Sequence, residues 1–204
     1  MGEENPETDS FPELTRRLAE RPDLWSNVRE GVRVSFAGMA ADWESRLRPD
    51  HLAPLEAVLA RVGRATRVLD LGTGTGLGAR MAAERFPGTL VVGLDLAEEM
   101  IREAVARKTN GGIRYVVGDG SALPFADGAF DLVTAVNVFV FWEEVTRILA
   151  PGGVLAIEYS SGEETPINLP VPDVKRHLSG AGPYAFEDGR AGRGIWVLAR
   201  KEGA

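Results

Sequence analysis

Residues 68–78 read Val-Leu-Asp-Leu-Gly-Thr-Gly-Thr-Gly-Leu-Gly, and this stretch determines the fold of the chain around it. Its first four residues form a short, mostly apolar run, which predicts a buried strand. The glycines that follow allow positive φ and let a ligand approach the backbone closely. The apolar residues after the turn are spaced as in a helix, whose N-terminal N–H groups favour a negative partner. We therefore predict a strand, a ligand-binding turn and a helix, in this order.

Outward from this stretch, strand-like apolar runs alternate with helical runs, and the chain before residue 66 has helical periodicity only. Such an alternation indicates a parallel sheet with right-handed crossovers and helices on both faces. We predict an α/β fold with a Rossmann-like, doubly wound, mostly parallel sheet of about seven strands. We also predict that the sheet has an antiparallel C-terminal strand and that helices at the N-terminus form a cap. The predicted strands are residues 68–71, 90–95, 113–117, 130–136, 154–159, 183–187 and 194–200.

The composition excludes several classes of function. The chain has 204 residues, enough for one domain, with a formal net charge of −7. The absence of cysteine rules out disulfides, thiolate metal sites, iron–sulfur clusters and a cysteine nucleophile. Two histidines are too few for a histidine-rich metal site, so we expect no metal.

Much of the negative charge lies in the first ten residues, which carry four acidic side chains and no basic one. The remainder lacks the basic field that a phosphate backbone requires, so we expect no nucleic-acid partner. The most apolar stretch, residues 132–142, is too short to span a bilayer, and the N-terminus has no apolar signal core. We expect a cytoplasmic protein with no membrane partner.

Three aspartates follow or end consecutive predicted strands at similar spacing, namely Asp70, Asp95 and Asp119. The carboxyl ends of parallel strands meet at one edge of the sheet, where doubly wound folds bind ligands. Similar spacing is expected when each strand–helix unit delivers one carboxylate to a shared crevice. The sequence therefore predicts a binding site at this edge.

The glycine-rich turn is compatible with more than one ligand. It lacks the Gly-Lys-Ser/Thr ending of a phosphate-binding P-loop. Residues 74–79, Gly-Thr-Gly-Leu-Gly-Ala, satisfy the loose dinucleotide fingerprint, and Asp95 follows where a ribose-binding acid is expected. A NAD(P)-dependent oxidoreductase is therefore one interpretation. Two observations weaken this interpretation. No Ser/Tyr/Lys catalytic set is apparent, and a dinucleotide site would give Asp119 no role.

Four motifs in order resemble the class I S-adenosylmethionine-dependent methyltransferases, in particular their small, type 11-like methyltransferase domain. Residues 70–78 resemble the first motif, and residues 92–100 resemble the second-strand motif. Residues 118–131 resemble the third- and fourth-strand region, and residues 147–153 the turn before the fifth strand. The resemblance implies a methyltransferase with S-adenosylmethionine as its cofactor.

The organisation along the chain follows from these patterns. We predict a disordered acidic tail over residues 1–10, because this stretch is polar. A single methyltransferase domain is predicted over residues 11–204. Within it, residues 11–65 form the helical cap, 66–160 the cofactor-binding core and 161–204 a C-terminal part with the last two strands.

The resemblance also implies roles for residues near the first two strands. The methionine portion of the donor would lie against Gly72 and Gly74, with Asp70 orienting its ammonium group. Asp95 would accept hydrogen bonds from both ribose hydroxyls, and Leu96 would pack on the adenine face. Asp95 also fits a helix N-cap, and both roles can hold together.

Further roles fall on residues after the third and fourth strands. Asp119 would accept from the adenine amino group, with Gly120 and Ser121 at the ring edge, although Asp119 also fits an Asx-turn. Asn137 and Val138 would line the methionine and the transferring methyl group. The predicted cofactor-binding set is Asp70, Leu71, Gly72, Thr73, Gly74, Gly76, Asp95, Leu96, Asp119, Gly120, Ser121, Asn137 and Val138.

Methyl transfer from a sulfonium is a direct in-line displacement, so the enzyme contributes mainly alignment and a water-poor site. A general base is required only if the acceptor must lose a proton. Glu158, Tyr159 and His177 lie near or after the end of the fifth strand and are candidates. Each also fits a surface position, so no catalytic residue is assigned.

Methylation of cytosine at C5 needs a cysteine nucleophile and is excluded, because the chain has no cysteine. We therefore predict a small-molecule acceptor that is methylated at O, N or C. Its site would lie between Phe36, Met39 and Trp43 of the helical cap and the loop at residues 161–172. The same aromatic residues fit an ordinary core equally well. We expect a monomer or a homodimer.

The chain departs from the family pattern after Asn137, where the link into the next helix is several residues short. The fourth crossover helix is therefore clipped. Residues 163–172 are proline-rich and replace part of a substrate-covering segment. These departures motivate a third interpretation, a non-catalytic S-adenosylmethionine-binding protein of the same fold.

Overall fold

The computed structural model describes residues 9–107 and 112–203. Its elements run from a set of N-terminal helices, through alternating strands and helices, to a C-terminal hairpin. The helices are α1 (Phe11–Glu20), α2 (Trp25–Ala37), α3 (Ala53–Leu59), α4 (Leu77–Arg85), α5 (Glu98–Ala106), α6 (Trp142–Ile148) and α7 (Val171–Ala181). The strands are β1 (Arg67–Leu71), β2 (Leu90–Asp95), β3 (Ile113–Val117), β4 (Phe130–Val136), β5 (Leu149–Tyr159), β6 (Tyr184–Ala191) and β7 (Gly194–Lys201). Short 3₁₀ helices cover Pro22–Leu24, Ala40–Arg46 and Gly162–Glu164.

The strands form one seven-stranded sheet in the order β3-β2-β1-β4-β5-β7-β6. Strands β1 to β5 pair in parallel, whereas β7 runs antiparallel between β5 and β6. The strand order reverses at β1, which has β2 on one side and β4 on the other. Such a switch point opens a crevice at the carboxyl ends of the strands. The predicted doubly wound sheet with an antiparallel C-terminal strand is confirmed.

Apolar side chains are buried on both faces of the sheet, as its near-continuous apolar strands require. On one face, Leu69 and Leu155 share a buried cluster with residues of α6 and α7. On the other face, Val68 and Leu132 pack with residues of α3 and α4. Because successive residues of a strand point to opposite faces, the central strands are anchored from both sides.

The N-terminal helices pack over the segment that follows β4. Residues of α1 and α2 share a buried cluster with Phe139 and Phe141. Trp25, the first residue of α2, lies with its ring centroid 5.9 Å from that of Phe139 and 5.3 Å from that of Phe141. The helical cap therefore covers the carboxyl edge of the sheet beside β4.

The predicted acidic tail lies mostly outside the described residues, which begin at Asp9. Asp9 forms an ion pair with Arg17 of α1 at 2.8 Å. Ser10 donates its backbone N–H and its hydroxyl to the Glu13 carboxylate, at 3.1 and 2.6 Å. These two residues of the predicted tail are therefore fastened to the first turns of α1.

The connection from β4 to β5 is short, since its helix α6 has only 7 residues. Strand β5 begins at Leu149, five residues earlier than the sequence predicts. Phe130 pairs with Leu149, whereas Leu132 pairs with Val154, so the Pro-Gly-Gly segment bulges within the strand instead of preceding it. Gly152 has φ 75°, a left-handed conformation that glycine adopts readily.

Candidate functional site

A cavity opens at the carboxyl ends of β1, β2 and β4, the edge where doubly wound sheets bind small ligands. The loops after these strands form its floor, and the helical cap forms its roof. Most of the predicted cofactor-binding residues line it, namely Asp70, Leu71, Gly72, Thr73, Gly74, Asp95, Leu96, Gly120, Asn137 and Val138.

Asp70, in β1, is only 2% exposed. Its carboxylate accepts hydrogen bonds from the hydroxyls of Thr73 at 2.6 Å and Thr134 at 2.8 Å. Burial raises its pKa. A Cβ at Gly78 would lie 2.7 Å from the nearer carboxylate oxygen, so glycine there lets α4 start directly beside Asp70. Asp70 therefore fastens the glycine-rich turn to β1 and β4.

Glycine is required in the turn for two different contacts. Gly72, Gly74 and Gly76 have φ of 66°, 53° and 85°, in the left-handed region. A Cβ at Gly72 would lie 2.6 Å from Val138, so glycine lets the turn pack on the segment after β4. A Cβ at Gly76 would collide with the hydroxyl of Tyr115 in β3. Gly76 does not line the cavity, and its role is packing against β3.

Asp95, at the end of β2, is held by two backbone groups. Its oxygens accept from Gly74 N–H at 2.8 Å and from Ala97 N–H at 2.9 Å. The N-cap residue of α5 is Ala97, so the helix-capping alternative for Asp95 is wrong, and the second bond instead fixes the turn that leads into the helix. Asp95 is 9% exposed, and burial raises its pKa. A carboxylate has about four lone-pair positions, so this one can still accept from ligand hydroxyls.

Asp119 connects the core to the helical cap. Both of its oxygens accept from the Trp25 indole N–H, at 2.9 and 3.0 Å. Ser121 N–H donates to Oδ1 at 2.8 Å, which is the predicted Asx-turn alternative, and Arg29 lies 3.4 Å from Oδ2. Asp119 and Ser121 do not line the cavity, although Gly120 between them does. Ser121 lines a neighbouring groove between the helical cap and the helices α6 and α7.

Asn137 follows β4 with φ 51°, the one positive φ outside glycine in the described parts of the chain. Its amide crosses to the residue after β5, donating to Ser160 Oγ at 2.8 Å and accepting from Ser160 N–H at 2.9 Å. A left-handed non-glycine residue costs about 1–3 kcal/mol and persists only where the surroundings hold it. The polar atoms of Asn137 therefore join the ends of β4 and β5.

The three base candidates are absent from the cavity wall. Glu158 is completely buried, and burial raises its pKa to about 8, against the weaker opposite effect of the Ala135 backbone. Tyr159 lies in the cluster beneath α6 and α7, where burial raises its pKa. His177 of α7 stacks on Trp142 with ring centroids 5.3 Å apart. None of these groups reaches a ligand in the cavity from its present position.

The structure also brings residues to the cavity that the sequence analysis did not assign. These include Trp25 at the start of α2, His51 before α3, Phe141 before α6 and Ile167 before α7. The available signals were weak, because an aromatic or histidine beside an apolar helical stretch does not specify a cavity. Of the predicted acceptor-side residues, Phe36 and Trp43 line the wall and Met39 does not.

The polar groups of the wall suit a ligand without phosphates. Among the described residues of the wall, the carboxylates are Asp70 and Asp95, the arginine is Arg33, and there is no lysine. The Gly74 N–H, which a phosphate at this turn would use, already donates to Asp95. Among the described residues, no group of His, Asp or Glu is placed to hold a metal ion. In the same residues, no helix is long and apolar enough to cross a membrane.

The fold and the cavity define a doubly wound α/β domain with a nucleoside-type site at the switch point of its sheet. Residues 69–157 match the family model described as a methyltransferase domain. The chain therefore contains a methyltransferase domain, the kind of domain whose class I, S-adenosylmethionine-dependent members the four sequence motifs resemble.

Curated relatives carry methyltransferase names. The chain is 46% identical over 102 residues to demethylmenaquinone methyltransferase of Thermus thermophilus, covering 45% of this chain and 46% of the relative. It is 34% identical over 166 residues to trans-aconitate 2-methyltransferase of Variovorax paradoxus, covering 74% of this chain and 61% of the relative. The chain thus spans about half to three-fifths of the length of these relatives.

A solved structure shares the fold. It is that of Burkholderia thailandensis 1,6-didemethyltoxoflavin-N1-methyltransferase with bound 1,6-didemethyltoxoflavin and S-adenosylhomocysteine. The TM-score is 0.66 and the sequence identity 20%, covering 84% of this chain and 87% of that chain. At this identity the likeness supports the architecture, and the chemistry of the site has to be argued from this chain's own residues.

Proposed function

We propose that the chain transfers the methyl group of S-adenosylmethionine to a small-molecule acceptor, at an oxygen, nitrogen or carbon atom. The observation that carries the proposal is one cavity lined both by residues after β1, β2 and β3 and by residues of the helical cap and of the segments after β4 and β5. The nucleoside end is defined by Asp95, Leu96 and Gly120. The acceptor end is defined by two cavity-lining residues, His51 and Ile167, with Asn137 and Val138 between the two ends.

The nucleoside end fits the donor by its chemistry. Asp95 keeps lone pairs for ribose hydroxyls after its two backbone bonds, and Leu96 offers an apolar surface for adenine. Gly74 lines the cavity and has no Cβ, so the methionine portion can lie against the backbone there, whereas Val138 fills the space beside Gly72. When bound, S-adenosylmethionine supplies an electrophilic methyl group on a cationic sulfur. The cavity has carboxylates and lacks the lysine that phosphate groups favour.

The chain's own contribution to the reaction is alignment and exclusion of water. Trp25, Phe36 and Phe141 wall the cavity with apolar rings, and Trp25 is only 6% exposed. Fixed placement of two reactants can contribute several kcal/mol to a displacement. A water-poor site also preserves a reactive donor from hydrolysis. The proposed role of the helical cap is to close the cavity over both reactants.

The relatives' names support a small acceptor, because demethylmenaquinone and trans-aconitate methyltransferases are both named for small molecules. Neither acceptor is carried over to this chain, since the alignments span only 46% and 61% of those proteins. The family assignment favours methyl transfer over the nicotinamide alternative. A cytoplasmic location, a monomeric or homodimeric state and the absence of nucleic-acid partners stay predictions.

The experiment that tests the proposal is transfer of label from [methyl-³H]S-adenosylmethionine. Purified protein is incubated with sets of small acceptors that carry phenol, enol, carboxylate, amine or activated carbon groups, and organic-extractable label is counted. Product from wild type that is lost in Asp95→Ala supports the proposal. Tight binding of S-adenosylmethionine with no product from any set would favour the non-catalytic alternative, which the clipped β4–β5 connection motivates.

A further inference from the structure

Of the two histidines in the chain, His51 is the one that lines the cavity. It lies in the turn between the 3₁₀ helix Ala40–Arg46 and α3, and it is partly buried. Its imidazole makes no side-chain hydrogen bond to any residue in 9–107 or 112–203, so its ring nitrogens have no structural partner there. A polar ring without a structural partner in a cavity wall is available to a ligand.

The segment that carries His51 is held by hydrogen bonds to the residues that follow β5. Arg48 donates to the Ser160 carbonyl at 3.3 Å and to the Ser161 hydroxyl at 3.2 Å, just after β5. Its Nε also donates to Asp50 at 3.1 Å. These contacts hold Arg48 at the end of β5 and Asp50 against Arg48, so they place the neighbouring His51 beside the end of β5.

Ser160 also fixes this segment relative to β4, through its two hydrogen bonds with Asn137. His51 therefore enters the cavity from the side of β4 and β5. The nucleoside end lies on the side of β2 and β3, where Asp95 and Gly120 are. In the sheet order the two sides are separated by β1, so His51 lies on the side where a second reactant has to approach.

The charge state of His51 suits a proton acceptor. Burial lowers its pKa, the Arg48 guanidinium lowers it further, and the Asp50 carboxylate opposes them. The other charged side chains of the wall are Arg33, Asp70 and Asp95. A neutral imidazole at pH 7 keeps a lone pair on one ring nitrogen.

We propose that His51 is the general base for the acceptor, which identifies the acceptor as a small molecule with an ionisable hydroxyl of phenol or enol type. This inference rests on the proposed function. The hydroxyl proton goes to the imidazole lone pair, and an oxygen lone pair forms the new bond to the methyl carbon. The electron pair of the broken carbon–sulfur bond stays on sulfur, which becomes a neutral thioether, and the imidazolium later releases its proton to solvent.

The placement of His51 is tested by NMR titration of its C2–H resonance. The variant His177→Gln retains only the C2–H signal of His51. The variant His51→Gln lacks that signal, which confirms the assignment in the wild type. We expect His51 to titrate at a pH lower by about 0.5 or more with S-adenosylmethionine than with S-adenosylhomocysteine, because only the first places a positive charge beside the ring. His177 in the wild type is the internal control and should titrate identically with both ligands.

A His51 titration that is the same with both ligands, although both bind, would overturn the placement while leaving the proposed function intact. If neither ligand changes any resonance or the thermal stability, the proposed function fails instead. The role as a base is tested by labelled methyl transfer with the phenol and enol sets. We expect His51→Gln to reduce product formation by about 10²–10⁴-fold while the Kd for S-adenosylhomocysteine changes less than about twofold.

Two results distinguish the role from mere structural support. Wild-type transfer should rise with pH through the His51 titration, and His51→Gln should lose that dependence. Equal transfer by wild type and His51→Gln, or transfer only to amine or carbon acceptors, would overturn the assignment of His51 as the base.

Discussion

The two ends of the cavity are built from different kinds of contact. At the nucleoside end, Asp95 and Gly120 lie directly after the strands that present them, and Asp95 holds the glycine-rich turn. At the acceptor end, His51 and Ile167 come from segments outside the strands, and Asn137 is held by a residue after another strand. The residues of the nucleoside end are thus positioned by motifs that lie close to them in the sequence. The acceptor end depends on how the helical cap packs on a short β4–β5 connection.

Trp25 joins the helical cap to the loop after β3, and its removal should have the largest effect. Trp25→Ala should lower the free energy of unfolding by about 3–5 kcal/mol, because a buried ring packed on Phe139 and Phe141 is lost. Trp25→Phe keeps a ring and removes the donor to Asp119, which should cost about 1–3 kcal/mol. Urea unfolding measures both.

The matched control is Trp142→Phe, because the indole nitrogen of Trp142 has no hydrogen-bond partner among the described residues. It should cost less than Trp25→Phe. Equal losses would show that the bond from Trp25 to Asp119 contributes nothing, and would separate the cap from the nucleoside end.

Glu158 lies in the buried end of β5, and its carboxyl should make stability depend on pH. Burial raises its pKa in the fold to about 8, whereas the unfolded value is near 4.5. Its contribution is fully present below about pH 4.5, where both states are protonated. Between about pH 4.5 and 8 the unfolded chain ionises first, so stability falls by about 4–5 kcal/mol.

The variant Glu158→Gln cannot ionise and should flatten this fall in chemical unfolding measured from pH 5 to 8.5. Glu187→Gln, at an exposed position of β6, is the control and should follow the wild type. A wild-type slope unchanged by Glu158→Gln would contradict the assignment of the titration to this carboxyl.

Asp95 tests the nucleoside end alone. Asp95→Ala removes the carboxylate that accepts from Gly74 and Ala97 and from the proposed ribose. We expect calorimetric affinity for S-adenosylhomocysteine to fall about 30- to 150-fold, or roughly 2–3 kcal/mol. Asp188→Ala, on β6, should bind as the wild type does. A loss below about threefold in Asp95→Ala would contradict the ribose role.

Asn137 tests the junction between the two ends and should have the smallest effect. Asn137→Ala loses both bonds to Ser160 and keeps the left-handed φ, which should cost about 2 kcal/mol of stability. Asn137→Gly loses the same bonds and relieves the backbone, so its cost should be nearer 1 kcal/mol. Thermal unfolding compares them. A glycine variant less stable than the alanine variant would show that backbone strain does not decide this position.

The same contrast explains how much of the molecule could be predicted from the sequence. Strand alternation, the glycine-rich turn and the positions after each strand are local, so the fold was predictable and residues such as Asp95 and Gly120 could be placed at the cavity. The start of β5 was predicted too late, because Gly152 folds the Pro-Gly-Gly segment into a bulge instead of a separate turn.

Other features were beyond sequence reasoning because they depend on long-range packing. The hydrogen bond from Trp25 to Asp119 joins residues 94 apart in the chain. His51 reaches the cavity only because Arg48 is bound at the end of β5. No periodicity or motif encodes such contacts, so the acceptor end had to be seen in the structure.

The proposed methyl transfer requires a donor site that binds an adenosyl sulfur compound and not a dinucleotide. The most direct measurement is thermal unfolding with S-adenosylmethionine, S-adenosylhomocysteine, NAD and NADP added separately. A ligand at 100 times its Kd adds about 2.7 kcal/mol, or a rise in Tm of roughly 5–10 °C for a domain of this size. We predict this rise with the two adenosyl sulfur compounds and none with NAD or NADP. A rise in Tm only with NAD or NADP would contradict the proposed methyl transfer. No rise with any of the four compounds would contradict it as well.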